Sequence, residues 1–416
     1  MHATWWRGAL FTGLSLALFA GPVGAQDTDV LSLNEALERS GVSETAAENS
    51  RNPRLVGPTE DAAAARALID QAGLKPNPEL AFEAENLAGS GAFSGLSATE
   101  YTLSVGLPLE LGGKRRARIA AARAELDLTE LRGDLSRAEL GYMVRRRYVA
   151  AVGAAARVEL AADILERNRE LVRIAEALVE AGREPPLRGL RARAAYAEAE
   201  AELKAAQADA LAARFALGAL WSEEVAPAVP AEFPAIVPPD SLVASYSGLE
   251  TDIARAERAA AEAEIMRERS LGVPDPTVSA GVRRFAESND NAFVVGVSIP
   301  LPIRNRNQGN ILAAQARARA AGAREAVALA DYRQAVAEAR AAYLSAEVKA
   351  STLARESLPQ AEEALRLAQI GYRNGKFPLL EVLAAADARD AIRRSLIDAR
   401  ETQGSAAARL IRLAAQ

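Results

Sequence analysis

The chain contains no cysteine, and its single histidine is His2. Without thiols there is no disulfide framework and no cysteine to carry a lipid anchor. Without imidazole or thiolate beyond position 2 there is no ligand set for a zinc or copper site and no nucleophile–base pair of the usual kinds. These absences argue against an enzyme and imply no resident metal and no cofactor. Met143 and Met266 stand alone and read as core filler rather than copper ligands. Aromatic residues make up only 5% of the chain, and the Ala-, Arg- and Glu-rich remainder is the composition of long helices packed on small side chains.

One long apolar run exists, at the start. The stretch MHATWWRGALFTGLSLALFAGPVGAQ has Arg7, an apolar centre from Ala9 to Ala20 and a small-residue ending at Val23-Gly24-Ala25. It reads as a secretory signal over residues 1–25, with a mature chain beginning near Gln26. No later run approaches the roughly 20 residues a spanning helix needs. Loss of Arg7 with the signal leaves 49 basic against 55 acidic side chains, a balance that gives no sign of nucleic-acid binding.

What the chain does contain, it contains twice. SVGLPLELGGKRRARIAAAR from Ser104 is echoed by GVSIPLPIRNRNQGNILAAQ from Gly296, and each is preceded by a Pro-x-Pro start, at Pro76 and Pro274. Offsets of 198, 192 and 193 residues separate Pro76 from Pro274, Pro108 from Pro300 and Gly182 from Gly375. This spacing predicts a tandem duplication of one large unit rather than a short solenoid repeat. Residues 26–220 form the first copy, a proline-rich linker spans 221–245, and residues 246–416 form the second. Prolines 227, 230, 234, 238 and 239 exclude a helix from that linker.

Within each copy the pattern predicts a helix, a β-hairpin, a long helix, a tight tip and a returning helix. The hairpins, over 78–108 and 276–301, alternate apolar residues such as Leu80, Phe82, Leu103, Val282, Phe293 and Val295 with polar or small ones. A two-faced strand pair of this kind suits a half-buried sheet or the wall of a membrane barrel. Glu79, Glu83, Glu85 and Glu100 fall on the polar face. The long helices cover 113–181 and 306–371, the second interrupted only by Pro359; the first would extend about 100 Å. Val336, Ala339, Tyr343, Ala346, Ala350 and Leu353 recur with a seven-residue period, which predicts left-handed coiled-coil packing. Glycine then proline closes each long helix, at tips 182–186 and 372–378, and turns the chain into an antiparallel helical hairpin. At the strand-to-helix junctions Pro108 and Pro300 end strand pairing, and Gly112, Gly113 and Gly309 are expected to make the turn. Lys114, Arg115, Arg116, Arg118, Arg304 and Arg306 follow, suited either to lipid head groups or to a solvated helix start. Four strands cannot close a spanning barrel, which needs about eight; two chains would supply eight and three would supply twelve.

In order and duplication, LSLNEAL, KPNPELAFE, LPLELGGKRRARIAAA, PLPIRNRNQGNILAAQ and GYRNGKFPLLEVLAA resemble the TolC-type outer-membrane efflux proteins, most closely the branch serving cobalt-zinc-cadmium and related heavy-metal pumps. The resemblance covers nearly the whole chain from Leu31. It implies a mainly α fold completed by a twelve-stranded membrane β-barrel in a homotrimer, and a periplasmic helical tunnel. It also implies a site in the outer membrane of a Gram-negative bacterium, and two partners: a periplasmic adaptor and an inner-membrane proton-driven pump of the RND type. By the same resemblance Gly182, Arg183, Arg188, Tyr372, Gly375, Lys376 and Glu381 mark the periplasmic entrance where the adaptor docks and an acid narrows the pore. Here Glu381 holds the acidic position, Arg188 occupies the matching place in the first copy, and Ala384 stands where a second acid is common. Arg188 and Glu381 are therefore expected to alternate and pair around the closed entrance. A drug-efflux channel of the same family, a periplasmic adaptor and a soluble coiled-coil scaffold are the alternatives, although an adaptor would need one helical hairpin rather than two.

Overall fold

The structure, a computed structural model, describes residues 30–43, 52–87, 89–224, 226–239, 247–374 and 376–415. The expected signal at 1–25, part of the linker and Gly375 lie outside the described residues. Among those described, no helix is long and apolar enough to cross a membrane.

A short helix α1 (Leu33–Arg39) is capped by Ser32, whose hydroxyl accepts from the Glu35 amide. Helix α2 (Pro53–Gly73) leads to strands β1 (Glu79–Glu85) and β2 (Glu100–Pro108). Then come α3 (Lys114–Glu180) and α4 (Pro186–Gly218). The extended segment 226–239 follows, with Pro227, Pro230, Pro234, Pro238 and Pro239 keeping it free of helix. The order then repeats: α5 (Leu249–Leu271), β3 (Thr277–Phe285), β4 (Asn291–Ser298), α6 (Gln308–Thr352), α7 (Leu358–Arg373) and α8 (Leu379–Leu413).

The 67 residues of α3 reach about 100 Å at 1.5 Å per residue. One end of α3 packs between α2 and α5, and the other between α4 and α8. Helix α6 extends the wall on the far side of α5 and then of α8. The result is a wall four helices wide. Its seams are small: Ala314, Ala321, Ala339, Ala346 and Ala350 of α6 are buried. Val336, Tyr343 and Leu353 flank them, half-buried, so the seven-residue stripe is the contact face.

The largest cluster lies midway along α3, where Leu140, Val144, Tyr148 and Val152 pack on Leu31, Leu55, Leu217 and Leu220. Met143 packs against this cluster, whereas Met266 lies exposed rather than in a core. Tyr148 donates its hydroxyl to Leu31 O at 2.9 Å, and Asn52 Nδ2 donates to Ser40 O and Leu220 O. These bonds pin the irregular segments to the wall's waist.

The second long helix differs from its expected course. Between α6 and α7, residues Leu353–Ser357 widen into a π-helical turn. Pro359 is the second residue of α7 and has no amide to donate. The wider turn absorbs the missing bond and the ring without breaking the helix direction.

Candidate functional site

Three regions carry the residues singled out by sequence: the sheet, the strand-to-helix junctions and the helical tips.

The sheet runs β1-β2-β3-β4, all antiparallel. Register puts Leu80, Val105, Ala280 and Val295 in one row and Phe82, Leu103, Val282 and Phe293 in another, on the same face. Phe82 and Tyr101 stack there with centroids 6.2 Å apart. Among the described residues nothing covers this face: Phe293 is 91% exposed and Val295 76%. The opposite face holds Glu79, Ser279 and Gly296 in one row, then Glu83, Thr102 and Arg283, then the facing pair Glu85 and Glu100. Arg283, which the sequence reading passed over, joins this set: Nη2 lies 3.0 Å from Glu85 Oε2 and Nη1 2.9 Å from Glu100 Oε2. β1 and β4 are the sheet's edges, each with one side unpaired among the described residues.

At the first junction, Pro108 closes β2 and Leu109 N donates to Pro276 O at 2.8 Å. Gly112 and Gly113 both adopt left-handed φ, at 67° and 71°. A Cβ at Gly112 would stand 2.7 Å from Val273, so glycine is required there on two counts. Lys114 departs from its expected role. Its side chain is 10% exposed, with Nζ 2.6 Å from Asp275 Oδ2, and Leu111 N donates to Asp275 Oδ1 at 2.8 Å. Lys114 is therefore engaged inward and unavailable to a head group. Arg118 is likewise held, by Glu110 and by the carbonyls of Ala72 and Leu74. Arg115, Arg116, Arg304 and Arg306 are exposed.

The second junction turns elsewhere than expected. Gly309 lies inside α6, and the left-handed residue is Asn307, at φ 62°. Asn307 Nδ2 donates to Glu268 O at 2.8 Å and Glu268 Oε2 at 2.6 Å. The Asn307 hydrogen bond holds the Glu268 carboxyl below the usual range, against the opposing effect of burial. Pro300 lies two residues beyond β4, in the exposed stretch leading to this turn.

At the tips, α3 ends in a Schellman motif: Gly182 at φ 68°, Gly182 N to Val179 O and Arg183 N to Leu178 O, both 2.9 Å. The second tip has the corresponding long bond, Lys376 N to Gly371 O at 2.8 Å, and Tyr372 packs half-buried beside Leu365 and Val382. Pro185 and Pro378 precede α4 and α8 in the same extended conformation. Arg188 and Glu381 are the third residues of those helices, both exposed. Within the chain Arg188 Nε lies 3.0 Å from Glu184 Oε2, while Glu381 has no ion pair among the described residues. An acid in the first turn suits the helix dipole; an arginine there does not, and Glu184 offsets it. A cleft of about 400 Å³ opens beside Arg188, lined by Asn168, Leu171, Leu379 and Leu383.

Between tip and waist, ion pairs join α3 to α8: Arg393 to Asp163 at 2.6 Å, Arg157 to Asp398 and Glu401 at 2.7 Å, and Arg412 to Glu139 at 2.5 Å. The innermost pairs Arg167 with Asp390, whose side chain is 3% exposed and also meets Arg389 at 2.8 Å. Burial raises the pKa of Asp390, but the hydrogen bonds and charges of Arg167 and Arg389 outweigh it and leave the group below the ordinary carboxylate range. Among the described residues no cluster of acids or histidines suits a metal ion.

The family model described as "Outer membrane efflux protein" matches residues 47–223 and 252–416. The cobalt-zinc-cadmium resistance protein CzcC of Cupriavidus metallidurans is 35% identical over 326 residues, covering 76% of each chain. The nickel-cobalt-cadmium resistance protein NccC of Alcaligenes xylosoxydans xylosoxydans is 32% identical, covering 76% of this chain and 71% of its own. Among solved structures, VceC of Vibrio cholerae aligns with a TM-score of 0.73 at 22% identity, over 92% of this chain and 95% of its own. CusC aligns at 0.74 and 20% identity, over 100% and 99%. These likenesses extend the shared fold from the sheet to both tips, and with the match across both halves they establish that the chain belongs to the outer membrane efflux protein family.

Proposed function

We infer that this chain is one third of a passive duct that carries heavy-metal cations out through the outer membrane. The observation that carries this reading is the pairing of a two-faced, open-edged sheet with an open-edged helical wall. Bare Leu80, Phe82, Phe293 and Val295 suit lipid and the Glu-bearing face suits water, the inside-out arrangement of a spanning barrel. The free edges of β1 and β4 demand partners, and three copies supply twelve strands. The same three copies would close the helical wall into a tunnel. Each half of the chain, 26–220 and 246–416, crosses once from barrel wall to tunnel, so a duplicated unit explains the duplicated junction.

The cargo is inferred from relatives whose names specify cobalt, zinc, cadmium and nickel resistance. A duct needs no high-affinity metal site, so selection would rest with an inner-membrane RND pump joined through a periplasmic adaptor. The tip residues Gly182, Arg183, Arg188, Tyr372, Gly375, Lys376 and Glu381 form the entrance in this reading. Around the closed end Arg188, steadied by Glu184, alternates with Glu381. Glu381→Arg then leaks, and adding Arg188→Glu reseals; unchanged single-channel conductance in both would refute the pairing.

The function is tested by growth of a strain lacking the gene across zinc, cobalt, cadmium, nickel, copper and hydrophobic drugs. Sensitivity confined to one or a few metals supports metal efflux, whereas sensitivity to drugs alone moves the cargo to organic compounds.

A further inference from the structure

Glu85 and Glu100 are direct cross-strand partners. Two like charges facing each other across a ladder oppose strand pairing, and two carboxylates that converge also offer the oxygen donors a divalent cation prefers. In this chain the place between them is taken. Arg283 reaches both carboxylates, at 3.0 and 2.9 Å, and its Nε donates to Thr102 Oγ1 at 2.9 Å. The guanidinium is thus fixed in its plane by three strands, because Glu85 lies on β1, Glu100 and Thr102 on β2 and Arg283 on β3. Asn86 Nδ2 approaches the remaining oxygen of Glu100 at 3.5 Å. Glu79 and Glu83, on the same face, have no ion pair among the described residues; four positions apart, they are separated by about 13 Å of strand and act singly.

A duct for divalent cations has two conflicting needs. Its wall must attract the cargo, and it must not hold it, since conduction requires binding weak enough for release. Isolated carboxylates such as Glu79 and Glu83 satisfy both. A converging pair does not.

We propose that Arg283 is a resident counter-cation: it occupies the Glu85–Glu100 pair permanently, so that divalent cargo leaves through the barrel without being trapped there. The assignment rests on the channel reading above. Its chemistry is that of a tethered guanidinium, which meets carboxylates through fixed, directional donors and never loses its charge.

The test uses the full-length protein in planar lipid bilayers, with potassium chloride carrying the current and cobalt, zinc or cadmium chloride added to one side. Wild-type current is expected to be unaffected by the metal. Arg283→Gln is expected to lose half its current at roughly 0.1–1 mM metal, the range of weak carboxylate sites. Arg283→Gln combined with Glu85→Gln has the wild-type net charge on this face but a single carboxylate, and is expected to conduct freely again, as is Arg283→Lys. Insensitivity of Arg283→Gln would overturn the proposal, as would block that persists in the double variant. Failure of both the wild type and the leaky Glu381→Arg variant to form channels would instead overturn the channel reading. Should only the Gln variant fail to conduct, calorimetric metal titration of Arg283→Gln and wild type in detergent decides: metal binding by the variant alone supports the assignment, and equal behaviour refutes it.

Discussion

At the first junction two consecutive glycines supply the left-handed turn and a lysine is drawn inward by Asp275; at the second, Asn307 alone makes the turn and fastens itself to Glu268. The difference is more than one of residue type. Asp275 precedes β3 and so belongs to the other half of the chain, whereas Glu268 and Asn307 belong to the same half. The first junction is therefore anchored across the two halves of the chain and the second is self-contained. Two halves with the same order of elements do not keep their turns equivalent once they pack side by side, and the first half recruits a charge from the second.

This contrast can be broken most severely at Asp275. Asp275→Ala leaves the ammonium of Lys114 buried without its partner and is expected to cost about 3 kcal/mol, read as a fall in the thermal midpoint of the detergent-solubilised protein. Gly112→Ala comes next, at about 2 kcal/mol, from the left-handed backbone and the approach of Val273; the same measurement with Gly309→Ala, inside α6, should show no loss. Asn307→Gly keeps the turn but removes the donors to Glu268, for about 1 kcal/mol. The smallest effect is one of pH. The depressed pKa of Glu268 contributes stability that is present above the unfolded value near about 4.3 and is lost as pH falls through the lower folded value. Asn307→Gly weakens that contribution, so the gap between its melting midpoint and that of the wild type should narrow as the medium is taken below about pH 4, leaving the share that comes from the bond to the Glu268 carbonyl.

Much of this architecture was legible because it rests on short-range pattern. Alternation exposes the faces of the sheet, the absence of proline from 114–180 announces α3, and Gly182 marks its end by the handedness of a helix stop. The charge partners of the junction and of the sheet's polar face were not legible, since Lys114 meets Asp275 across 161 positions and Arg283 meets Glu100 across 183. Such pairs follow from register between halves, which no local signal encodes. Arg188 is different: its partner Glu184 lies only four residues earlier, a near neighbour readable from the sequence. Gly309 misled because glycine is the default left-handed residue, yet asparagine also tolerates that region and here brings a side chain able to tie the turn down. Pro359 promised an interruption, and the widened turn at Leu353–Ser357 shows how a helix yields locally without stopping.

The packing of α8 against α3 also bears on how the protein is made. Arg157 meets Glu401 across 244 positions and Arg167 meets Asp390 across 223, so the flank of α3 that emerges early has to wait for residues 379–413. Contacts this distant in sequence form late and slowly. Until residues 379–413 arrive, the first half therefore has an uncovered seam along α3 and only two of the chain's four strands. That interval, rather than the finished wall, is when the chain is most exposed to misassembly, proteases and the attentions of chaperones.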